Sequence, residues 1–128
     1  MTFASDETLA ALLRESTAHK EGGRMADAVA CLYQAKALML QSPVSYPAES
    51  WCKLPLYLQQ AGMFPESMTE FQFLLDDLPR RARRDAQLDN PNVGPKAGKQ
   101  RHYQNLLKTD ADIIRKKQAL AQKRQAKK

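Results

Sequence analysis

The chain has few of the residues from which catalytic and metal sites are usually built. Among its 128 residues are two cysteines, two histidines and five glycines. Cys31 and Cys52 lie too far apart for a metal-ligand motif, and neither a glycine-rich phosphate loop nor a nucleophile elbow occurs. His19 and His102 are isolated from each other in sequence. These absences predict a protein that is not an enzyme and that uses no metal or other cofactor.

Long apolar runs are absent as well. No run approaches the roughly 18 residues that span a bilayer, and the first seven residues lack the basic and then apolar layout of a secretion signal. Cys31 and Cys52 stand among apolar neighbours, which favours two core thiols in a reducing compartment over a disulfide or a reactive thiol. The sequence therefore predicts one soluble domain, located in the cytoplasm and without a membrane partner.

Basic residues are the scarcer charged type up to Pro79, and acidic residues are scarce from Arg80 onward. Up to Pro79 there are five Lys or Arg against ten Asp or Glu, a net charge of −5. From Arg80 onward there are fifteen against four, a net charge of +11. Such asymmetry indicates that the basic part meets something acidic, such as nucleic acid or the acidic part of a second copy. Aromatic residues for base stacking are nearly absent there, Tyr103 being the exception, so nucleic acid would be bound without regard to its sequence.

Two stretches of the chain repeat one spaced pattern. The first begins at Gly23 and the second at Gly62, 39 residues later. At matching offsets the first has Met25, Ala28, Leu32 and Ala35, and the second has Phe64, Ser67, Phe71 and Leu74. Self-similarity at such a period is typical of stacked helical units, each of which buries its apolar face against a neighbour. The pattern predicts two antiparallel helical hairpins.

Apolar spacing and helix breakers place the elements. Apolar residues three and four apart predict helices over about residues 5 to 20 and 25 to 41. A third helix carries Trp51 and ends at Gly62, and a fourth begins near Pro65 and is closed or bent by Pro79. The stretch from Asp89 to Gly98, rich in Pro, Gly and Asn, is the clearest loop.

The C-terminal segment carries two apolar rows with a seven-residue repeat. The rows consist of Leu106, Ile113 and Leu120, and of Leu107, Ile114 and Ala121. Adjacent rows of this kind form one apolar stripe on a long helix. The sequence thus predicts an all-α fold in three parts: a repeat domain over 1–79, a basic segment and Pro/Gly loop over 80–98, and a basic amphipathic helix over 99–128 that packs on or caps the repeats.

Eight positions of the repeat pattern resemble a known family. These are Gly23, Ala28, Ala35, Trp51, Leu54, Gly62, Phe71 and Pro79. Over about residues 9 to 79 the chain resembles the tetratricopeptide repeat family, although Pro55 stands where that family has Gly and Ser67 where it has Ala. The resemblance implies a non-catalytic scaffold whose groove binds a protein or peptide. It also implies that a third layer comes from the C-terminal helix or from another chain, because such folds usually need three units.

Three charged clusters are candidate partner-binding residues. They are Arg80, Arg81, Arg83 and Arg84; Arg115, Lys116 and Lys117; and the acidic pair Asp76 and Asp77. Guanidinium groups bind phosphates and carboxylates through two hydrogen bonds, and an acidic pair near a helix end suits a basic partner. For the arginine cluster and the acidic pair, the alternative is a solvated or internally paired face.

These features favour a scaffold or adaptor that binds a protein or peptide partner through a helical-repeat groove. Two alternatives remain open from the sequence. The first is a nucleic-acid-associated factor that uses the basic C-terminal segment, and the second is a homodimer in which basic helices pair with acidic repeats.

Overall fold

The computed structural model describes residues 4–42, 46–89 and 96–127. In this part of the chain all regular structure is helical, which confirms the all-α prediction. The five helices are α1 (Ala4–Glu21), α2 (Met25–Gln41), α3 (Ala48–Gln60), α4 (Phe64–Asp89) and α5 (Lys96–Ala126).

The helices pack in chain order, with α5 as an added layer. Helix α1 lies against α2, and α3 lies against both α2 and α4. Helix α5 then lies against both α3 and α4. Two successive hairpins, α1–α2 and α3–α4, are therefore followed by one long helix that packs on the second of them.

The repeated glycines end α1 and α3 in the same way. Gly23 has a φ of 78° and Gly62 a φ of 81°, in the left-handed region that favours glycine. At the first turn, the backbone amides of Gly23 and Arg24 donate to the carbonyls of Lys20 and His19. At the second turn, the amides of Gly62 and Met63 donate with the same spacing to carbonyls three and five residues back. This bonding scheme is a Schellman motif, so the glycines of the sequence pattern mark two equivalent helix ends.

Small side chains are buried at matching positions of α2 and α4. Ala28 and Ala35 lie in α2 and Ser67 lies in α4, and all three are buried. Ser67 takes the place that Ala28 has in the first hairpin, and its buried hydroxyl donates to the Pro55 carbonyl across the α3–α4 contact at 2.7 Å. The serine therefore adds a hydrogen bond between helices to a position that needs a small side chain.

Two prolines lie inside helices. Pro55 is buried within α3, beyond its first turn, and Pro79 lies within α4. The expectation that Pro79 could close the fourth helix is wrong, since α4 continues for ten further residues to Asp89. Most of the predicted Asp89–Gly98 loop lies outside the described residues, but Asp89 belongs to α4 and residues 96–98 belong to α5.

The main core collects apolar residues from all five helices. It contains Leu9 and Leu12 of α1, several residues of α2 to α4, and Ala111, Ile114 and Ala121 of α5. A smaller cluster, with Ala28, Leu32, Leu54 and Leu58 among its members, lies where α2 meets α3. Because α5 contributes fully buried side chains, it is part of the core and not an appended arm.

We expect Ser67→Ala to lower the free energy of unfolding by about 1 to 2 kcal/mol, because the buried bond to Pro55 is lost while the size is kept. Thr69→Ala is the matched control, since its hydroxyl bonds a helix carbonyl at an exposed position. It should change stability by less than about 0.5 kcal/mol. Urea denaturation measures both, and equal losses would contradict the role given to Ser67.

Both cysteines are free thiols inside the core. Burial raises the pKa of the Cys52 thiol to about 12 and outweighs the opposite effect of the Arg81 and Lys117 charges. The thiol is therefore protonated and shielded at neutral pH.

We expect iodoacetamide at pH 8 to label Cys52 slowly in the native protein and rapidly in urea, as followed by mass spectrometry. Rapid labelling of the native protein would refute this placement.

Candidate functional site

The four arginines of the sequence-predicted cluster lie on one helix, but they do not form one patch. Arg80, Arg81, Arg83 and Arg84 all belong to α4. Successive residues of an α-helix are separated by about 100° around its axis. The helix therefore directs these side chains to different surroundings, and each has its own contacts.

Arg81 corrects the prediction of a surface patch, because its side chain has no solvent exposure. The guanidinium lies 5.3 Å from the centre of the Trp51 ring of α3, and its Nη2 donates to the Asp110 carboxylate of α5 at 3.4 Å. Asp110 is itself buried. Arg81 Nε and Nη1 have no acceptor among the described residues. This arginine is a core residue that joins three helices, so it is not available to an external partner.

The other three arginines have contacts within the protein. Arg80 forms a bidentate ion pair with Asp77, with bonds of 2.7 and 2.8 Å. Arg83 lies 5.2 Å from the centre of the Tyr103 ring, and Arg84 donates to the backbone of α2 at Met39. The arginine cluster thus ties α4 to its neighbours on several sides.

The acidic pair is also engaged within α4. Asp76 accepts a hydrogen bond from Gln72 at 2.8 Å, one turn earlier, and Asp77 pairs with Arg80. In each contact the two residues are three or four positions apart on the same helix. The structure does not bring this pair together with the second basic cluster on α5.

Two residues of the second basic cluster line a groove. A groove of about 320 Å³ is lined by Glu49 in the first turn of α3 and by Ile113, Lys116, Lys117 and Leu120 of α5. We call it the α3–α5 groove. It brings together two of the predicted site residues, Lys116 and Lys117, whereas Arg115 is exposed outside its lining.

The two apolar rows of α5 have different surroundings. In one row Ile114 and Ala121 are fully buried in the core. In the other row Ile113 and Leu120 are only half-buried and line the α3–α5 groove. The seven-residue repeat predicts one continuous stripe from both rows and does not indicate the groove-lining role of Ile113 and Leu120. The sequence signal for that role is the placement of Lys116 and Lys117 between them.

A further group of cations lies between α1 and α3. The Lys53 amine donates to Thr17 Oγ1 at 2.6 Å and to the Leu13 carbonyl at 3.3 Å. Lys20 and Lys53 lie 4.9 and 5.6 Å from the centre of the Tyr57 ring. Partial burial lowers the pKa of Lys53, and the Lys20 charge adds to that effect. The uncharged Leu13 carbonyl, Thr17 hydroxyl and Tyr57 ring hold the two lysine ammonium groups in one cluster. This cluster joins α1 to α3.

The interior between the two hairpins is closely packed. Residues of α1 to α4, including Leu13, Trp51 and Leu74, surround a space of only about 10 Å³. This is roughly one water-sized probe position. The space therefore does not accommodate an organic ligand, and the α3–α5 groove is the larger opening.

Residues 4–42, 46–89 and 96–127 contain neither a metal-binding group of side chains nor a membrane-spanning helix. Within these ranges, His, Cys, Asp and Glu side chains form no group of three that could hold a metal ion. Within the same ranges, no helix has both the length and the apolar character that crossing a membrane requires.

We expect Arg81→Met to lower the free energy of unfolding by about 3 to 5 kcal/mol, because it removes the positive charge beside the buried Asp110 carboxylate. Replacing both partners, in Arg81→Met with Asp110→Leu, should restore part of that loss. The control is Arg80→Met, which removes a local ion pair whose arginine side chain is 52% exposed, and it should cost less than about 1 kcal/mol. Similar losses for Arg80→Met and Arg81→Met in urea denaturation would contradict this assignment.

The chain was compared with protein-family models, with curated proteins and with solved structures, and none of the three comparisons gave a match. The resemblance to tetratricopeptide repeats therefore stays a prediction from the residues.

Proposed function

We propose that this protein is a non-catalytic interaction module that binds a segment of a partner protein in the α3–α5 groove. The observation that carries the proposal is the pair Ile113 and Leu120, which stay half-buried beside lysines, whereas Ile114 and Ala121 of the adjacent apolar row are fully buried. A rigid helical surface with apolar side chains and polar neighbours is suited to helix-in-groove recognition.

The volume and position of the groove support a peptide-like partner. About 320 Å³ is at the lower end of the range for ligand pockets, and it accommodates a few side chains of a partner segment. Its walls come from two helices that also contribute to the core, through Trp51 in α3 and Ile114 in α5. The groove is therefore held in shape before a partner arrives, which lowers the entropic cost of binding.

Binding of nucleic acid by α5 is the second candidate function. Its specific support is the exposure of five cations of α5, namely Lys108, Arg115, Lys116, Lys123 and Arg124, and of Lys127 directly after the helix. Deletion of residues 99–128 would not test this candidate cleanly, because it would remove Ile114 and Ala121 from the core. Nuclease treatment during capture separates the two candidates without altering the protein.

Affinity capture from a nuclease-treated lysate, followed by mass spectrometry, tests the proposal. The groove variant is Ile113→Gln with Leu120→Gln, and the matched control is Tyr33→Gln with Met63→Gln. Tyr33 and Met63 are 39% and 37% exposed and lie outside the groove lining. Circular dichroism melts establish that both variants are folded.

We expect the control variant to capture the same proteins as the wild type, and the groove variant to capture them at least about fivefold less, a loss of roughly 1 kcal/mol in affinity. This follows because the two glutamines replace the apolar lining of the groove. Equal capture by both folded variants would refute the proposal. Loss of all captured material after nuclease treatment would favour the nucleic-acid candidate instead.

A further inference from the structure

The face of α5 that lines the groove combines apolar and cationic side chains in a regular order. Ile113 and Leu120 are seven residues apart, which is about 10.5 Å along a helix. Lys116 and Lys117 lie between them, three and four residues after Ile113. The same spacing continues after Leu120 to three more exposed cations, Lys123, Arg124 and Lys127.

Positive charge dominates this face. Its cations are Lys116, Lys117, Lys123, Arg124 and Lys127. A carboxylate across the groove is that of Glu49, and Asp112 lies one helical turn before Lys116. Asp110 does not belong to this face, because it is buried beside Arg81. The five cations give this surface an attraction for a negatively charged partner.

We infer that the occupant of the α3–α5 groove is an acidic amphipathic helix of a partner protein. This inference rests on the proposed interaction function. The partner helix places Leu- or Ile-type side chains, seven residues apart, against Ile113 and Leu120. Its carboxylates face the lysines between them, as charged residues flanking an apolar seam do in paired helices.

The groove distinguishes such a helix from nucleic acid. A phosphate backbone carries charge at every step and has no apolar side chains for Ile113 and Leu120. Glu49 lies in the groove wall, where it would repel phosphates but can face a polar residue of a peptide. Among the α5 side chains that the structure describes, the aromatic one is Tyr103. It lies next to Arg83 and outside this face. The groove therefore lacks the stacking platform that single-stranded nucleic acid uses.

Fluorescence anisotropy with the full chain and four labelled probes tests the inference. The first probe is a blocked 21-residue helical peptide with Leu at each seventh position, flanked by Glu. The second has Gln in place of Glu, the third keeps Glu but has Ala in place of Leu, and the fourth is a 21-base-pair DNA duplex. Each titration is repeated at 0.05, 0.15 and 0.5 M NaCl.

The matched variants have the same charge change on the same helix. Lys116→Gln with Lys117→Gln removes two groove cations, and Lys108→Gln with Arg115→Gln removes two exposed cations outside the groove lining. We expect the Glu–Leu peptide to bind at least tenfold more tightly than the Gln or Ala peptides at 0.15 M NaCl. The affinity of Lys116→Gln with Lys117→Gln for this peptide should fall at least tenfold. That of Lys108→Gln with Arg115→Gln should fall less than threefold.

Besides the absence of peptide binding, three outcomes would overturn the inference. The first is that both double variants lose equal affinity, which indicates general charge attraction. The second is that the DNA duplex binds as tightly as the Glu–Leu peptide. The third is a wild-type dimer that dissociates at 0.5 M NaCl and is absent in Lys116→Gln with Lys117→Gln by light scattering, which makes a second copy the occupant.

The same variants separate a failure of this inference from a failure of the proposed function. If the Glu–Leu peptide does not bind while Ile113→Gln with Leu120→Gln still loses its captured proteins, the groove binds a partner of other chemistry. In that case the acidic helix is refuted and the interaction function stands. If the capture is unchanged as well, both are refuted.

Discussion

The burial of one guanidinium, that of Arg81, controls how α5 lies on the rest of the protein. The side chain begins on α4, lies over Trp51 of α3 and reaches Asp110 of α5. Removing one partner of a buried ion pair usually costs about 3 to 5 kcal/mol, so the native packing must keep these groups together. Three helices are thereby held at one point, and the α3–α5 groove lies between two of them. The contact that pairs charge in the core therefore also joins the two helices that form the walls of the groove.

Much of the fold follows from local sequence rules. The glycines at 23 and 62 each require a left-handed turn, and each ends a helix through the same pair of hydrogen bonds. Apolar spacing places α1 and α2 within a residue of their observed bounds, because the stripes and breakers of those segments agree. The rows of α5 were also found from their seven-residue repeat. In these segments local propensity and tertiary packing favour the same structure.

Four arginines within the five residues after Pro79 predict a binding patch or, as the alternative, a solvated or internally paired face. For Arg81 the structure shows internal pairing, because α4 continues through Pro79. The buried positions Leu74 and Leu78 then extend by helical spacing to Arg81 and Ala82, which are both fully buried. Composition cannot show that a ring and a carboxylate from distant helices surround this position. The groove escaped prediction in the same way, because its wall at Glu49 comes from a helix 64 residues before Ile113.

The order of side chains on α5 also limits what can cover it. Ile114 and Ala121 bind the helix to the core, while Ile113 and Leu120 remain half-buried on the neighbouring row. An apolar partner laid on that second row would strip water from Lys116 and Lys117 without giving their charges a counterpart, which is costly. A partner with carboxylates at those positions removes the penalty and still covers the apolar side chains. In the complex we propose, the lysines would therefore select among apolar partners, since an acidic one covers the groove without leaving buried charge unpaired.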